Sequence, residues 1–523
     1  MAPTSFDERL WKKESDAVDA SFVDLFANET KSSDLKEWDR KLKNSDFKTV
    51  FYYEEYNPRK NTKTSDFLRF IGNKMFVTKD WLNAMEYYSA ALCFAEYGSN
   101  NVSFAYANRA ACFLNMDRYD ECLRDIKLAE QANYPYKEKL MERKAKCLHF
   151  MPKKTEEEKG EKLSFEPSVN FPCMANVLEV RRNEEFGRHV IATCDIEVGK
   201  TVLIESAYCS LGQAPDRFQC YTCTKEEANF IPCPKCTDVM FCNEECRNEN
   251  IIHKKFCGAN INRMPSDIRF IAESLLLGIM IFSSANEVIS FVEGTLANRN
   301  TQVPNAINDS QSKYRQFLNL APAKNRHSFK EIYQVFTGIL DIPSIKKMFR
   351  TKHSQRFLMH LVAEHRAIMA NNSFGKRVPN GLISMKLGLV ISLFNHKCAP
   401  NISNRGSNDD PNVSIFKTSR PIKKGEQLFI NYLIESSAPT YMRRQYLSKG
   451  YDFICKCDKC EPHCKPSDRR KMKSDPNFQF LASLSKEQYY SASVKQKCEE
   501  FLTQFGRLPW SEELDRVLNV YNP

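Results

Sequence analysis

The sequence predicts an α+β multidomain chain, in which a helical repeat array precedes a β-rich domain that is interrupted by a metal-stapled module. Three observations carry this expectation. Eight cysteine and histidine residues stand in four pairs between residues 220 and 257, residues 67–150 have a helical period with an internal repeat, and short strand patterns flank the eight-ligand stretch on both sides. At 523 residues and 42% hydrophobic content the chain can bury several apolar cores.

Taken in order, residues 1–64 read as an N-terminal extension with helical character. Met1–Lys13 has no apolar run of signal-peptide length, and the longest apolar stretch, Leu275–Phe282, is well short of the roughly 20 residues of a membrane helix. A soluble, intracellular protein of cytoplasm and nucleus is expected. In residues 65–150, Gly72, Ala84, Tyr88 and Ala91 stand at intervals of twelve, four and three, and Ala110, Cys122, Ile126 and Ala129 reproduce those intervals. A third unit begins near Ala145. Small residues at such spacing let paired helices approach closely, and the pattern resembles tetratricopeptide repeats. In repeats of that type that bind chaperones, a basic residue, two asparagines, a lysine and an arginine clamp a terminal carboxylate. Arg69, Asn73, Asn108, Lys139 and Arg143 occupy the matching positions, and Lys139 and Arg143, four apart, share a helix face. The resemblance implies a chaperone partner with an acidic C-terminal tail.

Residues 151–170 are charged and polar without apolar period and read as a linker. From 171 to 215 the segments "VLEVRR", "RHVIAT" and "TVLIES", with Gly187 and Gly199 at turns, read as strands. Residues 216–258 then hold Cys220, Cys223, Cys233, Cys236, Cys242, Cys246, His253 and Cys257 in the order CxxC, CxxC, CxxxC, HxxxC, which is enough for two tetrahedral zinc ions. So short a stretch cannot bury enough apolar surface to order itself, so the metal is expected to serve as its core. Residues 259–370 return to helical periods, 371–435 are irregular with short strands, and 436–465 contain Cys455, Cys457 and Cys460 as CxCxxC. Three such thiols need a fourth ligand, for which Cys398, in "NHKCAPN", competes with His463 and Cys464. Residues 466–523 form a helical tail, and its cluster Arg469, Arg470, Lys471, Lys473 reads as a solvated linker in preference to a nuclear import signal. The net charge of +11 is spread among 65 acidic residues, and the finger stretch "EEANFIPCPKCTDVM" is not basic, which argues against a DNA-binding regulator.

The order of the four ligand pairs resembles the MYND zinc finger, a module that takes proline-containing peptides. That resemblance implies that Cys220, Cys223, Cys242 and Cys246 hold one ion, and Cys233, Cys236, His253 and Cys257 the other. Further along, "NNSF" at 371–374, "SLFNHKCAPN" at 392–401, "GEQLFINY" at 425–432 and "GYDFICKCDKC" at 450–460 resemble the SET domain in order and spacing. The whole is similar to the SET-and-MYND protein lysine methyltransferases, in particular their fourth branch. The implied fold is a set of α-helical tetratricopeptide repeats followed by a β-rich SET domain split by a MYND zinc finger and a helical insert, with a cysteine-rich post-SET segment and a short helical tail.

The resemblance implies three zinc ions, S-adenosylmethionine as methyl donor, and a lysine of a partner protein, histone or otherwise, as acceptor. Tyr432 matches the tyrosine beside the transferring methyl, Tyr451 the aromatic wall of the lysine channel, and Phe453 the residue packed on the adenine. Gly187, Arg188, His189, Asn372, Asn395 and His396 match cofactor contacts. Two departures stand out, namely His189 in place of the second glycine of the usual GxG turn and Lys397 in place of the serine of the usual NHSC. They keep open a different class of function, a catalytically silent adaptor or transcriptional co-regulator. The tail is short for the family, so the substrate cleft is expected either to lack a wall or to borrow one from the repeats.

Overall fold

The computed structural model describes residues 59–151, 161–211, 219–225, 229–259, 261, 264–299, 306–323, 329–377, 383–407, 410–433 and 437–522. Nearly all of the extension at 1–64 lies outside them. Helices α1 (Thr62–Val77), α2 (Trp81–Phe94), α3 (Asn100–Asn115), α4 (Tyr119–Gln131) and α5 (Lys137–Phe150) form the repeat array. The small-residue positions lie where helices cross: Ala84, Ala91, Ala110, Cys122 and Ala129 are fully buried. A Cβ added to Gly72 would come within 2.7 Å of the Tyr88 ring, so only glycine permits that crossing. The third unit departs from expectation. Leu140 and Cys147 of α5 face inward but Ala145 is exposed, because α5 has no second helix of its own unit to pack on among the described residues.

The β-rich domain follows, with β1 (Leu178–Asn183), β2 (Gly187–Ala192), β3 (Thr201–Ser206) and β4 (Cys209–Leu211), then the finger with β5 (Ile231–Pro232), β6 (Met240–Phe241), α6 (Glu244–Glu249) and α7 (Ile251–Phe256). The insert comprises α8 (Ser266–Ile279), α9 (Ala285–Ala297), α10 (Ser310–Leu318), α11 (Phe329–Leu340), α12 (Pro343–Met348) and α13 (Lys352–Asn372). Strands resume with β7 (Phe374–Arg377), β8 (Ile383–Leu387), β9 (Asn395–His396), β10 (Ile402–Asn404), β11 (Val413–Thr418) and β12 (Phe429–Ile430). The tail is α14 (Thr440–Tyr451), α15 (Pro466–Ser474), α16 (Pro476–Ala482), α17 (Ala492–Phe505) and α18 (Glu512–Tyr521). Among the described residues no helix is long and apolar enough to cross a membrane.

Strand pairing shows that finger and insert interrupt one β domain. β3 pairs antiparallel with β11, Val413 opposite Ser206, and β4 pairs with β8, Cys209 opposite Leu387. A single apolar core spans both halves and the insert, with Leu203, Leu276, Phe317, Phe357, Leu387 and Phe394 buried together. The expected linker is partly a correction: residues 161–170 are tied to the sheet, since the Ser164 amide donates to the Thr201 carbonyl and Pro167 bridges Ala175. Its polar side chains bond as well, since Ser164 Oγ accepts from the Thr201 amide at 2.9 Å and Glu161 pairs with Lys417 on β11, so the polar sequence there belongs to an edge segment and not to a free linker.

A second core joins the repeats to the finger. Arg109, 1% exposed, donates from Nε and Nη2 to Asp125 at 2.7 and 2.9 Å, and from Nη2 to the Phe230 carbonyl at 2.8 Å. Asn229 donates to Asp125 at 2.9 Å. The tail builds a third core from Met472, Leu481, Phe501, Leu514 and Val517. Its basic cluster is a helix and not a linker: Arg469 on α15 pairs with Glu512 and Glu513, and Lys473 with Glu513, so these charges are tied to α18.

Candidate active site and metal centres

The soft ligands gather into three groups: Cys220, Cys223, Cys242 and Cys246; Cys233, Cys236, His253 and Cys257; and Cys398, Cys455, Cys457 and Cys460, with the ligand atoms of each within 4.8 Å of one another. A tetrahedral zinc with Zn–S near 2.3 Å needs ligand atoms about 3.8 Å apart. The separations Cys223–Cys242 3.6 Å, Cys236–His253 3.7 Å, Cys398–Cys455 3.9 Å and Cys398–Cys460 3.6 Å fit that edge. The open choice of fourth ligand falls to Cys398. His463 instead meets its neighbour Glu461 carbonyl and is exposed, because the turn after Cys460 points it outward.

The third ligand group packs against an aromatic site of Tyr432, Tyr451 and Phe453. β9 lies parallel to β12, with Phe429 opposite Asn395 and Ile430 opposite His396, so the "FNHKC" and "FINY" segments run side by side. Tyr432 is fixed by two bonds: its amide donates to His396 Nδ1 at 2.9 Å, and its hydroxyl to the Phe394 carbonyl at 2.6 Å. Burial pushes its phenol well above the ordinary tyrosine range, so the proton stays on. Tyr451 stands with its ring 4.8 Å from that of Tyr432.

Two cavities meet at this pair. One, of about 420 Å³, is lined by Arg182, Phe186, Gly187, Arg188, Asn372, Asn395 and Phe453, with Tyr432 and Tyr451 at its end. The other, of about 660 Å³, reaches the same tyrosines from between the β domain and α18. In the first, Arg188 Nη1 is buried without a partner, and desolvation together with Arg299 and Arg182 lowers its pKa to about 10. An orphaned guanidinium in a roomy polar cavity fits a ligand carboxylate. Asn395 Nδ2 donates to the Phe186 carbonyl at 3.1 Å, and Asn372 Nδ2 to Ala321 and Ile368 carbonyls at 2.8 Å.

Two expected cofactor contacts go elsewhere. His189 is buried with Nδ1 3.0 Å from the Gly187 carbonyl, since Gly187 at φ +60° turns the strand so that the next-but-one side chain points into the fold. His396 lies beneath Tyr432, its Nε2 3.3 Å from Cys398 Sγ. Neither imidazole lines either of these two cavities. Lys397 also turns away, with Nζ 4.5 Å over the Phe429 ring. Sequence reasoning missed Arg299, Ala321 and Pro322, which the insert contributes to the smaller cavity and which carry no motif. The cleft wall is likewise a correction: Asp515, Leu518, Asn519 and Asn522 of the tail supply it, not the repeats.

On the array, Asn108 Nδ2 and the Tyr88 hydroxyl both donate to Asn73 Oδ1 at 2.9 Å. Arg143 donates to the Ala107 carbonyl, and Arg69 pairs with Asp66. Lys139 lies over the Tyr136 ring at 5.1 Å.

A SET domain model matches residues 187–433. The chain is 28% identical to a zebrafish (Danio rerio) protein-lysine N-methyltransferase SMYD4 over 226 residues, 38% of this chain and 29% of that protein. It is 28% identical to a SET and MYND domain-containing protein of Dictyostelium discoideum over 54% of this chain and 82% of that protein, and 20% identical to human SMYD4 over 76% and 66%. It thus spans under a third of the zebrafish relative and about two thirds or more of the others. With the β domain split by a finger, twelve soft ligands in three groups and preceding helical repeats, the chain carries a SET domain and is similar to the SET-and-MYND proteins, SMYD4 among them.

Proposed function

We propose that this chain is a protein-lysine N-methyltransferase that uses S-adenosylmethionine. The meeting of two cavities at Tyr432 and Tyr451 carries the reading, because donor and acceptor can then enter from opposite sides and face each other at one point. When bound, the cofactor supplies a methyl group on a sulfonium. Arg188 would take its carboxylate, Asn372 and Asn395 its polar groups, and Phe453 its adenine face. A free lysine has a pKa near about 10.4, and a passage walled by tyrosine rings favours the neutral amine by desolvation. The Tyr432 hydroxyl, oriented by the Phe394 carbonyl 2.6 Å away, is the oxygen that would align the amine at the junction.

Zinc is the proposed occupant of all three ligand groups. The finger would take proline-containing peptides, and Arg69, Asn73, Asn108, Lys139 and Arg143 the carboxylate of an acidic chaperone tail.

The test is calorimetric titration of the zinc-loaded chain with S-adenosylmethionine and S-adenosylhomocysteine, alongside an Asn395→Ala variant. Binding weakened about tenfold or more in the variant supports the reading. No binding by the folded wild type would overturn it and favour the adaptor.

A further inference from the structure

The larger cavity is lined by only one carboxylate, Asp515, and one amine, Lys459, among the described residues. The two neutralise each other: Lys459 Nζ lies 3.0 and 3.1 Å from the Asp515 oxygens, and Trp510 Nε1 donates to the same carboxylate at 3.0 Å. Six asparagines, Asn371, Asn372, Asn404, Asn431, Asn519 and Asn522, dominate the polar lining instead. Asn404 and Asn431 use their side-chain oxygens on the backbone amides of Gly406 and Leu433 at 2.9 and 3.0 Å, and the Asn522 oxygen accepts from Ser403 at 2.8 Å. What these three amides have left to offer is N–H, which meets carbonyls and hydroxyls, whereas Asn371 and Asn372 spend their Nδ2 on the Ala321 carbonyl and keep only an uncharged oxygen; the described lining thus holds no unpaired carboxylate for an ammonium or guanidinium.

We infer that the lysine taken by this site lies in a neutral, polar stretch of its protein and not in a Lys/Arg-rich tail. The inference rests on the methyltransferase reading of the same site. Cations entering the cleft would shed water without a carboxylate to replace it, which is costly, and the chain's net charge of +11 adds long-range repulsion. Peptide carbonyls and Ser, Thr, Asn or Gln side chains would satisfy the asparagine amides at little desolvation cost.

The experiment uses the full zinc-loaded chain saturated with S-adenosylhomocysteine and three fluorescent peptides, each with one central lysine and flanks of Ser/Asn/Gln, of Lys/Arg or of Asp/Glu. Anisotropy should give the neutral peptide about tenfold tighter binding than the basic one, with little dependence on salt. Asn519→Asp and Asn404→Asp, both at exposed positions, should each improve the basic peptide severalfold while leaving cofactor affinity alone. Tightest binding by the basic peptide, falling steeply with salt, overturns the inference, as does preference for the acidic peptide or no binding by any of the three. Cofactor titration of the same samples separates the failures: intact cofactor binding with the wrong peptide preference sinks this inference alone, whereas absent cofactor binding sinks both.

Discussion

At the scale of single residues, Tyr432 shows how position and protonation are set together. The His396 nitrogen holds its backbone, the Phe394 carbonyl holds its hydroxyl, and burial keeps the proton in place. Tyr432→Phe should therefore lower kcat for methyl transfer about a hundredfold while the fold, read by thermal melting, stays intact. Glu205 makes a separate, testable case. Fully buried, it accepts amide hydrogens of Val390 and Ile391 at 2.8 Å, yet desolvation raises its pKa from 4.5 to about 7. The folded carboxyl then holds its proton where the unfolded one has lost it, so stability falls as pH rises from 4.5 to 7 and is level above. The drop is about 3 kcal/mol at most, and Glu205→Gln should remove it; melts of both forms at pH 5 and 8 check this, and an equal pH response in both would refute the assignment.

Elements meet through a few buried polar links and apolar faces. Arg109 on α3 is paired with Asp125 on α4, and the same guanidinium reaches the finger at Phe230. Arg109→Ala strands the Asp125 charge in the core and should cost about 3–5 kcal/mol in denaturant unfolding of the repeats. The double change Arg109→Met with Asp125→Leu should recover much of that loss, since a buried pair can often be replaced by apolar residues without penalty. On the other side, α18 buries Leu514 and Val517 completely while presenting Asn519 to the cleft. Leu514→Ala should cost about 2–5 kcal/mol and weaken peptide binding together with stability, because the same helix does both jobs.

For the whole molecule, the finger is the joint between repeats and β domain. Tyr221 donates to Glu273 on α8 at 2.8 Å and Asn412 donates to the Thr222 carbonyl at 2.9 Å, while Phe230 and Asn229 bind the repeats. Metal loss should act unequally on the two sides. Cys233→Ser, beside β5, should speed hydrogen exchange in α3 and α4, whereas Cys398→Ser should speed exchange at 450–460 and abolish methyl transfer, since its group positions Tyr451 and Phe453. Equal exchange changes in both variants would refute this division.

The sequence by itself determined what depends on local spacing. Ligands two to four residues apart can reach one ion wherever the chain goes, so eleven of the twelve soft-ligand positions were legible, all but Cys398, as were the small residues at the helix crossings. Gly187, Asn372, Asn395, Tyr432, Tyr451 and Phe453 were legible only as parts of segments whose order resembles a known family. Tertiary structure decided what depends on segments far apart in the chain. Arg299 reaches the smaller cavity from 112 residues beyond Gly187, and α18 walls the larger cavity from Asp515 onward, 83 residues beyond Tyr432. The inward turns of His189 and His396, the choice of Cys398 over His463, and the Arg109–Asp125 link into the finger follow the same rule. No local pattern announces such contacts, because each becomes favourable only once separate elements have excluded water from the space between them.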